Sequence, residues 1–209
     1  MIILDGKKTS NEIKSEIAEE VKKITESGNR PPHLAAVIVG SDGASLTYVG
    51  SKVKACEKVG YESTLIKLPD ETTEDELLNQ VEELNKNDSI DGYIVQLPLP
   101  SHIDTQTILM AVDPDKDVDG FHPTNFGKMS LNLPTFISAT PSGIIELLKR
   151  YKVQTEGKNT VVLGRSDIVG KPISILMGLK TNPGNSTVTL AHSRTCLLYT
   201  SPSPRDAES

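Results

Sequence analysis

Four short stretches of the chain carry side chains whose types and spacing suit chemistry. The first is Tyr48-Val49-Gly50-Ser51-Lys52, where a helical spacing of four puts a phenol and an ammonium on one face. A lysine partly withdrawn from water can pass a proton and recover it, with the tyrosine as a stacking wall. The blander alternative is a surface lysine that lays its stem on an aromatic ring. The second is Val95-Gln96-Leu97-Pro98-Leu99-Pro100. Here Gln96 closes an apolar run and offers an amide donor and acceptor, either to a ligand or only to the strand end. The third, Asp113-Pro114-Asp115-Lys116-Asp117-Val118-Asp119-Gly120, carries four carboxylates in seven residues. Their spacing is not that of a calcium loop. A carboxylate there can accept two parallel N–H bonds from an amidine-like group, or the loop can simply be solvated.

The fourth stretch runs from Val161 through Gly164-Arg165-Ser166 to Gly170-Lys171-Pro172. A strand that turns at glycine into a helix presents backbone N–H groups to a phosphate. Arg165 adds a fork of donors and Ser166 a hydroxyl. The run departs from G-x-G-x-x-G and lacks the Lys-Ser ending of a P-loop, so an ordinary tight turn also accounts for it. After the next apolar run comes His192-Ser193-Arg194-Thr195, where Ser193 can join Arg165 around one phosphate. His192 reads as a structural histidine.

Elements must hold these groups in place. Ile13, Ile17, Val21 and Ile24 recur at helical spacing behind Thr9 or Ser10 as the cap, and Gly28 ends that helix. Strands are expected at Leu34–Val39, Ser63–Leu68 and Gly92–Leu97, with helices at 45–59 and 73–87 between them. A β-α-β-α-β rhythm of this kind makes a parallel sheet, whose ligands sit beyond the carboxyl ends of the strands. A loop-rich passage from Pro98 to Thr140 follows, broken by one short helix around Ile108–Val112. Pro141 opens a further helix, and the rhythm restarts with a strand at Asn159–Leu163, a helix at Pro172–Leu179 and a strand at Thr187–Ala191. The fold class is α/β with parallel sheets, and the restart divides the chain into two domains.

Composition narrows the function. With 209 residues, 36% hydrophobic and 24% charged, the chain can bury a core and is neither fibrous nor a disordered acidic tail. A net charge of −6 gives no basic footprint for nucleic acid or an anionic membrane. An anionic ligand must therefore be held by local groups. The two cysteines, Cys56 and Cys196, have no metal-ligand spacing and suggest neither a zinc cluster nor a disulfide scaffold; no metal is expected. The start at Met1 does not read as a secretory signal, and no apolar run approaches a membrane span.

Taken in order, the motifs resemble the bifunctional methylenetetrahydrofolate dehydrogenase/cyclohydrolase family. They are Y-V-G-S-K at 48–52, V-Q-L-P-L-P at 95–100, K-D-V-D-G-F-H-P at 116–123, T-P-S-G at 140–143, G-R-S-D-I-V-G-K-P at 164–172 and T-V-T-L-A-H-S-R-T at 187–195. The resemblance implies oxidation of 5,10-methylenetetrahydrofolate with NADP and hydrolysis of the methenyl product to 10-formyltetrahydrofolate, a one-carbon supply that serves purine biosynthesis. It makes Lys52 the proton-handling residue of hydrolysis and Gln96 its positioning partner. Tyr48 becomes the wall against the folate, and Asp119 the grip on the amino-pyrimidine edge of the pterin. Val49, Gly50, Ser51, Val95 and Leu97 line the substrate in this reading. Gly164, Arg165, Ser166 and Ser193 contact the dinucleotide, Arg165 and Ser193 favouring the 2′-phosphate. A cytoplasmic homodimer is implied as well.

Two departures stand out. Gly43 occupies a position where the family usually has proline. The likeness also stops near Thr195, and 196–209 reads as a tail foreign to the fold. The expected organisation is a folate-binding catalytic domain over 1–120, then a linker and an incomplete Rossmann-like NADP-binding domain over 121–195. The alternatives are a dehydrogenase without effective hydrolysis, a non-catalytic binding module, and a truncated, inactive or folate-binding-only fragment.

Overall fold

The computed structural model describes residues 3–40 and 43–195. Residues 5–124 form one compact unit; the described residues from Asn125 onward, with Ile3 and Leu4, form another. The first unit is built on a three-stranded parallel sheet, order β2-β1-β3, from β1 (His33–Val39), β2 (Glu62–Leu68) and β3 (Gly92–Val95). The central strand β1 is covered on both faces, which is why its sequence is apolar without a break from Leu34 to Val39. On one face Ala35, Val37, Val39, Tyr93 and Val95 pack against Leu77, Val81 and Leu84 of α3 (Glu74–Lys86) and Ile108 of α4 (Thr105–Ala111). On the other face Ala36, Ile38 and Ile94 meet Val49 of α2 (Gly43–Val59), with Val53 and Val118 alongside. Helix α1 (Gly6–Glu26) packs on α2. This alternation decides where the next residue of chemical interest falls. Gln96 lies two residues beyond Ile94 and therefore on the α2 side of the sheet.

Local signals account for most boundaries. Thr73 caps α3 in a reciprocal box: its hydroxyl accepts from Glu76 N, while the Glu76 carboxylate accepts from Thr73 N. Helix α1, however, starts before the expected Thr9 or Ser10. Its cap is Asp5, whose carboxylate accepts from Lys8 N at 2.9 Å, and Thr9 is buried inside the helix with its hydroxyl donating to Asp5 O. The apolar period begins only at Ile13, so periodicity alone missed the first turn. Strand β3 stops at Val95 rather than Leu97, because Gln96 N makes the last ladder bond, to Val37 O, before the cis Leu97–Pro98 peptide.

In the second unit, β4 (Asn159–Leu163) and β5 (Thr187–Ala191) pair in parallel at the expected positions. Two helices open earlier than their prolines suggested. Helix α6 (Ala139–Arg150) has Pro141, and α7 (Gly170–Gly178) has Pro172, at the third helical residue. Both prolines are still in the first turn, where a missing N–H costs nothing. Helix α5 (Pro123–Ser130), within which the division between the units falls, occupies a passage expected to be loop. It has a mid-helix Gly127 and no apolar period, but buries Asn125 and Met129. Thr135 donates to Asn125 Oδ1 at 2.6 Å. Pro123 at the first helical position was the available signal.

Candidate active site

Lys52 sits on α2 one turn after Val49, which is fully buried against the sheet. Its ammonium reaches the carboxyl end of β3, 3.5 Å from Gln96 Oε1 and 4.0 Å from Asp119 Oδ1. Gln96 is held by its other end, since Nε2 donates to Leu97 O at 2.7 Å. The Lys52 and Asp119 side chains are 38% and 20% exposed, so the group is half-sheltered yet open to a ligand. Tyr48 lies one turn before Lys52 and is 66% exposed, with ring surface available for stacking.

The other expected substrate contacts divide by burial. Val49 and Val95 are core residues on opposite faces of the sheet, so only their backbone can meet a ligand. Ser51 donates its hydroxyl to Thr47 O within α2. Gly50 and Leu97 are partly buried, and a Cβ at Gly50 would meet nothing within 4 Å.

The acidic loop is not a solvated charge run. Tyr93 N donates to Lys116 O at 3.0 Å, and Asp117 bridges Tyr93 in parallel, so the segment lies along β3 like a short extra strand. Gly92 permits this approach, because a Cβ there would stand 2.3 Å from Val118 Cγ1. Buried Asp117 accepts from His122 N at 2.8 Å, whereas Asp115 is exposed. Three residues past Lys116 the segment delivers Asp119 to the ammonium. Burial holds the Asp119 carboxyl above the usual carboxylate range, the Lys52 charge opposes that rise, and the Asp117 charge adds to it. A partly desolvated carboxylate of this kind is ready for a charge-assisted bidentate pair with a planar nitrogen donor. Among the described residues, no group of three His, Cys, Asp or Glu side chains is placed to hold a metal ion.

In the second unit, Gly164 (φ +124°) makes the turn after β4, and its N–H donates to Ala191 O at 2.7 Å, aligning the ends of β4 and β5. Gly170 is sterically required, since a Cβ would lie 2.2 Å from Gly164 O. The start of α7 thus rests directly on the turn, as close helix–strand packing at a dinucleotide site requires. One expectation is corrected. The N–H groups at the start of α7 do not await a phosphate: Ser166 Oγ accepts from Val169 N and Gly170 N, Ser166 O accepts from Lys171 N, and Pro172 has none. That leaves Ser166 its hydroxyl hydrogen. Arg165 and Ser193 are both exposed. His192 is structural as expected, its Nδ1 accepting from Arg194 N and its backbone closing a turn with Thr195.

Sequence reasoning missed the residues that hold these groups in place. Asn85 accepts from Tyr93 OH and Asp113 N through Oδ1 and donates to Ala111 O. Lys116 was read only as part of a motif.

Comparison with known proteins adds an independent line. Residues 4–119 match the tetrahydrofolate dehydrogenase/cyclohydrolase catalytic domain, and residues 138–205 match the NAD(P)-binding domain of the same name. Proteins called bifunctional protein FolD from Flavobacterium johnsoniae and Flavobacterium psychrophilum are 68% and 69% identical over 195 residues, 93% of this chain. The chain spans 66% of the length of each, just under two thirds. The crystal structure of the bifunctional enzyme FolD, a methylenetetrahydrofolate dehydrogenase/cyclohydrolase from Campylobacter jejuni, is 43% identical with a TM-score of 0.89, covering 93% of this chain and 68% of that one. A Trypanosoma brucei methylenetetrahydrofolate dehydrogenase-cyclohydrolase, solved with NADP cofactor and inhibitor, is 35% identical with a TM-score of 0.85, covering 93% and 65%. The matched catalytic domain contains Lys52, Gln96 and Asp119, the three groups that the fold brings together, and the chain belongs to the tetrahydrofolate dehydrogenase/cyclohydrolase family.

Proposed function

We propose that the protein oxidises 5,10-methylenetetrahydrofolate with NADP and hydrolyses the methenyl product to 10-formyltetrahydrofolate. The observation that carries this reading is the Lys52 ammonium between Gln96 Oε1 and Asp119 Oδ1. Asp119 binds the amino-pyrimidine edge of the pterin, and Tyr48 stacks on the folate. In hydrolysis, water adds to the methenyl carbon and loses a proton; the bond from that carbon to N5 then breaks as the hydroxyl gives up its remaining proton to form the formyl carbonyl and N5 gains a proton. Lys52 moves that proton, with Gln96 fixing its ammonium. NADP, when bound, supplies the hydride acceptor, so oxidation asks the chain for alignment more than for acid–base help. Gly164, Arg165, Ser166 and Ser193 would hold it, a role that suits the glycine-packed turn and its exposed arginine.

A folate-binding catalytic domain over 1–120 and a linker with part of an NADP-binding domain over 121–195 complete this reading; the family matches, over 4–119 and 138–205, support the two domains. Residues 196–209 lie outside the described residues. Among the described residues no helix is long and apolar enough to cross a membrane. A cytoplasmic homodimer is part of this reading, and sedimentation of the purified protein tests the dimer.

Replacing Lys52 with Ala is expected to abolish methenyl hydrolysis while part of the hydride transfer survives. Equal loss of both activities would refute separate roles for the two steps. Calorimetric titration with NADP and with a folate analogue is expected to show binding of both.

A further inference from the structure

Lys116 is the one cation in the acidic loop, yet its side chain turns away from the site. Its ammonium donates to Leu84 O at 3.0 Å and Asn87 O at 2.8 Å, at the carboxyl end of α3. Leu84 O also accepts from the capping Asn87 N and Asn87 O from Ile90 N, and the helix dipole places negative charge at this end. The backbone of the same residue is held on both sides: Lys116 N donates to Asp113 O at 2.9 Å, and Lys116 O accepts from Tyr93 N. Asn85, in the last turn of the same helix, adds a second tether by accepting from Asp113 N and donating to Ala111 O. From this anchorage the chain climbs three residues beside β3, with Val118 packed into the α2-side core, and ends at Asp119. Main-chain spacing leaves little slack, because each residue spans only about 3.3 Å.

We propose that Lys116 is a positioning residue for folate binding, its ammonium on the end of α3 setting where Asp119 stands relative to Lys52 and Gln96. The inference rests on the reading of Asp119 as the pterin-binding carboxylate. Without the Lys116 ammonium, the loop start is free to lift from α3, and Asp119 loses its register against the ammonium of Lys52. Displacement of a binding group by about 1 Å is enough to cost an order of magnitude or more.

The test is calorimetric titration of the full chain with 5-formyltetrahydrofolate, a stable reduced folate. Lys116→Met is expected to weaken binding by about tenfold, and Lys116→Arg, which keeps charge and donors, to stay within about threefold of the parent. A double-mutant cycle with Asp119→Asn, followed at ligand concentrations in the millimolar range, separates positioning from general damage: with Asp119 removed, Lys116→Met should cost less than about twofold more. Parent-like binding by Lys116→Met, or an undiminished loss in the Asp119→Asn background, overturns the proposal. Parent-like binding by Asp119→Asn alone instead overturns the reading of Asp119 on which it rests. Should Lys116→Met fail to fold, Asn85→Ala releases the neighbouring tether and enters the same cycle.

Discussion

At the scale of single residues, the site carries a cost that a ligand can offset. The Asp119 carboxyl is held above its ordinary range chiefly by burial. A carboxyl raised in the folded state binds protons more tightly there than in the unfolded chain, so stability falls as pH rises through that interval. The penalty is absent below the ordinary carboxylate pKa and complete above the raised one. Asp119→Asn is therefore expected to unfold at a higher temperature than the parent at neutral pH and at the same temperature under acidic conditions, while losing folate affinity. Melting curves at several pH values check the sign, and a neutral-pH decrease would refute it. The three groups of the site were readable in the sequence because each lies in a compact motif. Neither the depth of Val49 and Val95 nor the side chain of Lys116 was readable, since burial and direction depend on which face of which element a residue occupies.

At the scale of elements, two glycines set how closely segments approach. Gly92→Ala would drive a Cβ into Val118 Cγ1, with Lys116 O at 3.3 Å as well, forcing the 116–119 segment off β3. The expected loss is about 1–3 kcal/mol in urea denaturation, accompanied by weaker folate binding. Gly170→Ala meets backbone rather than a movable side chain, at 2.2 Å from Gly164 O and 2.6 Å from Gly164 C. A loss at the upper end of that range, about 3 kcal/mol, is expected, with faster amide exchange in β4 and β5 as the readout. The strands and most helices were legible, because β1 is apolar without a break from Leu34 to Val39 and α3 has both an apolar period and a capping box. Helix α5 and the first turn of α1 were not. Gly6-Lys7-Lys8 carries no apolar residue, and α5 owes its helix to what it buries rather than to propensity.

At the scale of the whole molecule, the −6 charge and the two units frame what local groups must do. In the second unit, α7 covers one face of the β4–β5 sheet, where a Cβ on Gly178 would lie 3.9 Å from Val188 Cγ2, while Val161 and Leu163 remain exposed on the other face. Leu163→Thr removes a side chain that is already in water, so it is expected to change stability by less than about 0.5 kcal/mol while lowering the binding of an apolar-surface dye. A large destabilisation would show that Leu163 is covered in solution. The sequence by itself determined the α/β class, the parallel strands, the motif positions and the family, because periodicity, turn residues and short motifs are local properties of the chain. Only the tertiary structure decided that Lys52, Gln96 and Asp119, carried by three separate segments, meet at the end of β3. Only it decided, too, that the start of α7 spends its N–H groups on Ser166. Both outcomes turn on long-range register and on which donors are already satisfied, and neither is encoded in any one stretch of residues.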